Sequence, residues 1–264
     1  LILITILGLT IFTACGNEDT KNQFVVNEKG ELVAYNGTAT KITIPSSVKK
    51  IGVLAFYQNT KIKSVKLPNS VIEICDSAFE GCTKLTTVAF PDSLVTIGTR
   101  AFYDCDSLVS VNLPSKVANL GEQAFAECSS LNSVSFKDGI VSIPDKAFYN
   151  CVSLSGVEFS GTLQTIGERA FYGCKSLGSL SFPEGLKSIG YQAFSKCDAL
   201  SSVFIPENTS YFGAFDLTTT VSKKNQLSVR AASIDEYFST LKESVEQLGK
   251  TEIAANANVY ASAN

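Results

Sequence analysis

The stretch VAFPDSLVTIGTRAFYDCDSLVS (88–110) decides the fold, because its pattern recurs at a fixed step along most of the chain. The shared pattern is V-x-[LF]-P-x-x-[VL]-x-x-I-G-x-x-A-F-x-x-C-x-x-L-x-S. A fixed period of this length is typical of solenoids, in which each unit contacts only its neighbours. Units follow one another every 23 residues, without insertion, from Ile42, Val65, Val88, Val111, Val134, Val157 and Leu180.

Each part of a unit predicts a local structure. In the quoted unit, apolar and polar residues alternate over 88–90, which predicts a strand that ends at Pro91. The segment TRAFYDC (99–105) has apolar residues at i, i+3 and i+4, and we interpret it as a short helical turn. The predicted fold is therefore an α/β repeat, a solenoid with a parallel strand ladder on its concave face and short helical turns opposite.

The units must stack to be stable. Ordering 23 residues costs about 1–2 kcal/mol per residue in backbone entropy. Each of the seven or eight apolar side chains of a unit stabilises the folded state by only about 1.5–3 kcal/mol, even when it is fully buried. Neighbouring units must therefore pair their strands and cover one another's ends.

The motif L-x-x-V-x-F-P, followed by A-F-x-x-C at this period, resembles the BspA-like leucine-rich repeat family of bacterial surface proteins. The resemblance covers 42–202 and extends over the preceding segment 24–41 and over LSVRAASIDEY (227–237). It implies a leucine-rich-repeat solenoid and adhesion to proteins of a host or a neighbouring cell. The asparagine ladder of the broader leucine-rich pattern is missing, so we expect other loop hydrogen bonds near Ser47, Ser70, Ser93 and Thr162.

Both ends of the array need caps, because an exposed solenoid end would template strand addition. FVV (24–26) and ELVAY (31–35) predict a hairpin, and Ser233 begins an amphipathic helical pattern. The predicted segments are a signal peptide with a truncated start (1–14), a tether (15–23), an N-terminal cap (24–41), seven 23-residue leucine-rich repeats (42–202), an irregular last turn (203–232), a capping helix (233–249) and a flexible tail (250–264).

The first residues predict export. LILITILGLTIFTA (1–14) is an apolar run too short for a comfortable membrane span, and it fits the core of a signal peptide. Phe12-Thr13-Ala14-Cys15 resembles the lipobox of bacterial lipoproteins, which implies lipid attachment at Cys15. The expected location is extracytoplasmic, at the bacterial cell surface, with membrane contact only through the lipid anchor.

The composition excludes several functions. The chain contains no histidine, which excludes Ser-His-Asp and Cys-His nucleophile systems and imidazole-bound zinc. Its net charge of -3 argues against nucleic-acid binding. The scattered carboxylates have no calcium-loop spacing. We predict a protein that is not an enzyme and has no catalytic residues, metal or cofactor, and we expect it to be a monomer.

Six cysteines recur with the A-F pair, and they could form a metal array, a disulfide ladder, reactive thiols or core packing. Stacked units would place their Cβ atoms about 4.8 Å apart, beyond the usual disulfide range, and a straight column cannot surround zinc tetrahedrally. Packing is therefore the favoured interpretation. The predicted structural core is Phe79, Phe102, Phe125, Phe148, Phe171 and Phe194 with Cys82, Cys105, Cys128, Cys151, Cys174 and Cys197.

Two further sets of residues have alternative interpretations. Cys75 replaces the bend glycine of its unit and is the one thiol expected to be accessible. Tyr57, Tyr103, Tyr149 and Tyr172 share a column after the A-F pair. They could form an aromatic strip for sugar or protein contact, but partly buried packing beside the phenylalanines is the favoured interpretation.

The outward positions of the predicted strands form the candidate binding face. The residues at these positions are small and mostly carry hydroxyl groups, so the surface would be flat and weakly charged. It would lack the nucleophile–base pair that catalysis requires. We expect this face to bind a host or neighbouring-cell surface protein; the alternatives are a cell-envelope glycan-binding module and a structural spacer. Its residues are Ser64, Lys66, Thr87, Ala89, Ser110, Asn112, Ser133, Ser135, Glu158, Ser179 and Ser181.

Overall fold

A computed structural model describes residues 23–224 of the chain. Six predictions lie wholly or partly outside these residues: the signal peptide (1–14), lipid attachment at Cys15, the tether (up to residue 22), the irregular last turn (from residue 225), the capping helix (233–249) and the tail (250–264). The described residues form seventeen strands: β1 (Phe24–Val26), β2 (Glu31–Tyr35), β3 (Lys41–Thr43), β4 (Lys50–Ile51), β5 (Ser64–Lys66), β6 (Glu73–Ile74), β7 (Thr87–Ala89), β8 (Thr96–Ile97), β9 (Ser110–Leu113), β10 (Asn119–Leu120), β11 (Ser133–Phe136), β12 (Ser142–Ile143), β13 (Gly156–Glu158), β14 (Thr165–Ile166), β15 (Ser188–Ile189), β16 (Ser202–Pro206) and β17 (Thr220–Lys224).

The strands form two parallel ladders, to which the first six units contribute one strand each, whereas the seventh unit has a strand only in the second ladder. The first ladder contains β3, β5 and β7 in one sheet and β9, β11 and β13 in another. The second ladder contains β4, β6, β8 and β10, which continue the sheet of β1 and β2, followed by β12, β14 and β15 in a separate sheet. Partners along both ladders are 23 residues apart, as in Val65↔Val88 and Ile74↔Ile97. The predicted parallel solenoid is confirmed, whereas the second ladder was not predicted as strands.

The prediction of short helical turns opposite the strands is wrong, because residues 23–224 contain no helix. The 99–105 segment forms two successive turns, closed by Ala101 N–H to Gly98 O and Tyr103 N–H to Arg100 O. Arg100 and Asp104 have left-handed backbones, with φ of 53° and 57°. This conformation interrupts a right-handed helix and directs alternate N–H groups towards the next unit, where Phe102 N–H donates to Ala124 O at 2.8 Å.

The core is a column of stacked aromatic rings along the solenoid. Phe79, Phe102 and Phe125 are fully buried, and their successive ring centroids lie 5.0 and 5.1 Å apart with nearly parallel planes. Close-packed apolar side chains from every unit surround the column. Because each ring covers the next, a unit completes its core only when both neighbours are present.

Hydroxyl groups occupy the loops in which the broader leucine-rich pattern has asparagine. Ser70 Oγ donates to Val48 O at 2.6 Å, and Ser93 Oγ donates to Val71 O at 2.7 Å. Thr162 Oγ1 makes the equivalent bond to Ile140 O at 3.0 Å. In each of these loops, a backbone carbonyl therefore accepts a hydrogen bond from a hydroxyl of the following unit.

The two ends continue the aromatic column with different local structures. At the N-terminal end, β1 and β2 pair antiparallel, and the Tyr35 ring lies between Phe24 and Phe56 at 5.1 and 5.4 Å. At the C-terminal end the 23-residue step is lost, but a shortened turn still places Phe215 on Phe194, with ring centroids 5.3 Å apart. The strands β16 and β17 pair in parallel beside this turn.

Candidate binding faces

The first ladder carries the candidate binding face predicted from the sequence, here called the first face. Its residues are exposed or half-buried, and their positions match between neighbouring strands, as in Ser64↔Thr87 and Lys66↔Ala89. A second group joins Asn112, Ser135 and Glu158 on adjacent strands. The main-chain groups between paired strands bond within the ladder, so a ligand would meet side chains.

The first face is not one continuous sheet. Thr87 and Ala89 lie on β7, Ser110 and Asn112 lie on β9, and these two strands belong to different sheets. The units remain in contact there, since Val109 N–H donates to Thr86 O at 3.2 Å. Ser179 and Ser181 lie outside the strands, although Ser181 forms an isolated bridge with Phe204. The structure thus brings the predicted residues to one side, in two strand groups and a looser third.

An exposed aromatic ring ends the first face. Phe204 follows Glu158 and Ser181 in the same column, pairs with Ser222 and is 59% exposed. Interfaces typically have aromatic residues at their centres and polar residues around them. The sequence prediction missed Phe204 because it stopped at Ser181, but the 23-residue step from Ser181 already identified the position.

The second ladder carries an exposed apolar stripe, which we call the second face. The stripe consists of Ile72, Val95, Ala118 and Val141, and its three larger residues are 53%, 37% and 45% exposed in chain order. Backbone bonds join neighbouring members, with Val95 N–H to Ile72 O at 2.9 Å and Ala118 N–H to Val95 O at 3.0 Å. The sequence already indicated this stripe, because its four apolar residues recur at the 23-residue step, but the prediction did not consider them.

Threonine, asparagine and serine run beside the apolar stripe. Thr165 Oγ1 donates to Ser142 Oγ at 2.7 Å, and Asn119 Nδ2 donates to Thr96 Oγ1 at 3.4 Å. The second face therefore offers an apolar column next to a polar one, whereas hydroxyl-bearing residues predominate on the first face.

The tyrosine column is interrupted rather than continuous. Tyr149 and Tyr172 stack with ring centroids 5.1 Å apart, but Ala126 separates Tyr149 from Tyr103. The Arg100 guanidinium lies 4.1 Å from the centroid of the Tyr103 ring, and burial raises the pKa of that tyrosine. Tyr57 is 45% exposed, and the other three tyrosines are half-buried. The rings thus pack against neighbouring side chains, and one adjacent pair is stacked.

All six cysteines of the A-F-x-x-C motif are buried free thiols. Each Sγ donates to the carbonyl oxygen of the phenylalanine one unit earlier, over 3.1 to 3.3 Å. Burial raises the pKa of Cys82, Cys128 and Cys197 to about 12, and it raises the pKa of Cys105 and Cys151 well above the usual thiol value. These thiols stay protonated at neutral pH, so they lack the thiolate that a nucleophile or metal ligand requires.

The expectation that Cys75 is accessible is wrong. Its side chain is buried, with the residue 5% exposed, and Sγ lies 3.8 Å from Glu73 Oε1. Burial raises the pKa of Cys75 to about 11. Cys75 occupies the position of the bend glycines Gly52 and Gly98, which backbone atoms of the preceding unit approach closely.

Within 23–224, no group of three or more His, Cys, Asp or Glu residues could hold a metal ion. A cavity of about 390 Å³ at the N-terminal end is lined by Tyr35, Tyr57, Asn59 and Lys61 among others, and its lining contains no carboxylate. Over the same part of the chain, no helix is long and apolar enough to cross a membrane.

Comparisons with known proteins agree with this architecture. The sequence signature described as BspA type leucine rich repeat region matches six copies, over residues 30–151 and 141–240. The chain is similar to the crystal structure of a leucine-rich repeat protein from Eubacterium ventriosum, with 28% identity and a TM-score of 0.63. The match covers 69% of this chain and 49% of that one, so the chain spans about half the length of that protein.

Two more distant structures are also similar. The T. pallidum leucine-rich repeat protein is 24% identical, with a TM-score of 0.48, over 67% of this chain and 86% of that one. A leucine rich cell surface protein from Faecalibacterium prausnitzii is 18% identical, with a TM-score of 0.29, over 89% and 96% of the two chains. No curated protein matches the chain.

Proposed function

Since the chain belongs to the BspA-type leucine-rich repeat family, we propose that it is a surface-anchored recognition protein that binds another macromolecule through its solenoid. The partner is a protein of a host or a neighbouring cell, and the binding is non-covalent. Lipid attachment at Cys15 holds the protein at the bacterial cell surface. It performs no reaction on its partner.

The first face is the observation that carries the proposal. Its outward side chains come from successive units in register, at a strand spacing of about 4.8 Å. Ser135 Oγ donates to Asn112 Oδ1 at 2.8 Å, which orders two neighbouring polar side chains. Phe204 supplies an exposed apolar contact at one end. A regular array of ordered polar groups beside an aromatic ring suits the rim and centre of a protein interface.

Protein ligands are favoured over glycans by the distribution of aromatic residues. Glycan sites commonly use exposed flat rings as platforms, and the chain has no tryptophan. On the first face, the exposed ring is Phe204, at one end. The stacked Tyr149 and Tyr172 rings are half-buried and belong to the turns outside both ladders.

A binding screen against immobilised ligands tests the proposal. The full-length protein is applied to arrays of surface and matrix proteins and, in parallel, to cell-envelope polysaccharides. Binding to a protein supports the recognition role. Binding to polysaccharides alone would favour a glycan-binding module, and the absence of binding in both arrays would favour a spacer.

Charge substitutions then locate the binding face. Ser110→Glu, Ser133→Glu and Ser179→Glu together should weaken a detected interaction at least tenfold, because they place three carboxylates on the first face. The matched control combines Ser142→Glu, Thr165→Glu and Ser188→Glu, since these three positions lie on the second ladder. Loss of binding only in the control would assign recognition to the second face, and the first-face proposal would then be wrong.

Anchoring is tested independently of ligand binding. Cells grown with a fatty-acid analogue should label the wild-type protein, and Cys15→Ala should abolish the label. A Cys15→Ala protein that kept the label would refute lipid attachment at this residue.

A further inference from the structure

Positive charge is concentrated at the N-terminal end of the solenoid. Six lysines lie between residues 41 and 66, and the sequence contains no Asp or Glu from 32 to 72. In contrast, residues 73–224 contain sixteen acidic and eleven basic residues. The net charge of -3 for the whole chain therefore hides a strong separation of charge along the solenoid axis.

Five lysines of this end form one surface, which we call the lysine patch: Lys41, Lys61, Lys63, Lys66 and Lys84. Lys41 lies on β3 and Lys66 on the adjacent β5, where the paired positions are Lys41↔Ser64 and Thr43↔Lys66. Lys63 directly precedes β5, and Lys61 and Lys84 occupy equivalent positions in neighbouring units. All five are exposed.

The patch has no countercharge of its own. Among the described residues, the three ion pairs within 4.0 Å involve Lys50, Arg100 and Arg169, and none involves a lysine of the patch. Lysine ammonium groups act as compact point charges on flexible stems, so such a patch favours a diffuse anionic surface over one shaped carboxylate or phosphate. A dense layer of headgroup phosphates provides such a surface.

The start of the described chain lies beside the patch. Gln23 Oε1 accepts a hydrogen bond from the Tyr35 hydroxyl, and Asn36 N–H donates to Gln23 O at 2.8 Å. Tyr35, Gly37 and Lys61 line one cavity at this end. Gln23 is eight residue steps after Cys15, a length that can span at most roughly 26 Å. A lipid on Cys15 would therefore hold the lysine end, rather than the opposite end, next to the bilayer.

We propose that the lysine patch lies against the anionic phospholipid headgroups of the membrane that carries the protein, as a second anchoring element beside the lipid. This inference rests on the proposed lipid attachment for its orientation. A basic patch beside a lipid anchor adds electrostatic attraction to an anionic membrane surface. Phe204 lies six 23-residue steps after Lys66 in the same outward column, so with the basic end at the membrane Phe204 and the later units of the first face lie farther from the bilayer.

The test uses the full chain with Cys15→Ala, so that no acyl chain contributes. Binding is measured to vesicles of phosphatidylcholine alone and of phosphatidylcholine mixed with phosphatidylglycerol, and the readout is the excess binding to the anionic vesicles. The variant changes Lys41, Lys61, Lys63 and Lys66 to Gln. The control changes Lys116, Lys137, Lys175 and Lys187 to Gln, which removes the same charge from later units.

In the patch variant, the excess binding to anionic vesicles should fall more than tenfold, because each lysine near an anionic surface increases the binding constant about fivefold. The control should stay within about twofold, and added salt should weaken the wild-type excess. An unchanged excess in the patch variant, or an equal loss in the control, would overturn the proposal. So would binding to polyglycerol phosphate or duplex DNA without excess binding to anionic vesicles.

The two proposals can fail separately. Failure of the fatty-acid label on the wild-type protein would remove the lipid anchor but leave the vesicle comparison interpretable, because that comparison uses Cys15→Ala. Failure of the vesicle comparison would remove the lysine contact and leave the label unaffected.

Discussion

The thiol of Cys105 donates a hydrogen bond to the carbonyl oxygen of Phe79, with Sγ and O 3.2 Å apart, although the two residues are 26 positions apart in sequence. The same contact recurs in all six units that have the cysteine. The cysteine therefore fills a small apolar site and also satisfies a carbonyl of the preceding unit. In the first unit Asn59 takes this position, and its Oδ1 accepts from Lys61 N–H and Ile62 N–H instead.

Thiol labelling should be slow in the native protein. The six column cysteines and Cys75 are buried, and their raised pKa values keep them protonated. We expect a disulfide-exchange reagent at pH 8 to modify fewer than one of these seven thiols before unfolding, and all of them in denaturant. Peptide mapping distinguishes them from Cys15. Rapid native labelling of any column cysteine would contradict the packing interpretation.

Stability should fall above pH 9 because of the same thiols. A thiol in the unfolded chain ionises near its ordinary pKa of 9.0, whereas the pKa of folded Cys128 is about 12. The contribution of Cys128 is complete below pH 9 and decreases from there to about pH 12, by about 1.4 kcal/mol per pH unit. Urea denaturation at several pH values measures this slope.

The matched variant for this pH effect is Cys128→Ala. It should be less stable than wild type at pH 7, by about 1–3 kcal/mol, because it loses buried volume and leaves the Phe102 carbonyl without the thiol donor. Its stability should then decline less steeply between pH 9 and 11. Ser133→Ala, on the exposed first face, controls for the background titration. Equal slopes for Cys128→Ala and wild type would show that the thiol does not titrate on unfolding.

The sequence predicted which residues of successive units stack on one another more reliably than it predicted the local backbone conformation. The fixed period identified the parallel stack and the ring column, because equivalent residues of a solenoid meet the same neighbours. It did not distinguish a helical turn from two left-handed turns, since both place the apolar residues of 99–105 on one side. The overlooked signal was the column that contains Gly81, Asp104, Asn150 and Gly173, because these residue types tolerate positive φ.

The candidate surfaces were predicted less completely than the fold. Outward positions of the first ladder followed from strand alternation, but the second ladder has two-residue strands, too short to give an alternating pattern. The eighth ring, Phe215, was hidden because its step from Phe194 is 21 rather than 23 residues. The lysine patch was not apparent from the net charge of the whole chain, because acidic residues of the later units offset its positive charge.

Removing the conformational strain of the left-handed backbone at Lys146 should stabilise the protein. Its φ is 56°, which costs a lysine about 1 kcal/mol relative to glycine. Lys146→Gly should therefore raise the free energy of unfolding by about 0.5–1 kcal/mol, as measured by urea denaturation. Lys187→Gly is the control, because Lys187 is exposed and has no positive φ; it should destabilise the protein by about 0.5–1 kcal/mol. Destabilisation by both substitutions would contradict the argument.

Tyr35 should hold the N-terminal hairpin on the solenoid through its ring rather than its hydroxyl. The ring lies between Phe24 and Phe56, whereas the hydroxyl donates to Gln23 Oε1 over a long 3.3 Å. Tyr35→Ala should cost the hairpin about 3–5 kcal/mol, and Tyr35→Phe less than about 1 kcal/mol.

Amide hydrogen exchange tests this prediction unit by unit. In Tyr35→Ala, the Gly52 amide, which donates to Leu32 O at 2.8 Å, should exchange much faster. The Gly121 amide, which donates to Ile97 O at 2.7 Å within the array, should change little, because stability in a solenoid is a sum of local and nearest-neighbour contributions. Equal acceleration at Gly52 and Gly121 would mean that the hairpin and the repeats unfold as one unit. Equal effects of Tyr35→Ala and Tyr35→Phe would assign the stabilisation to the hydroxyl.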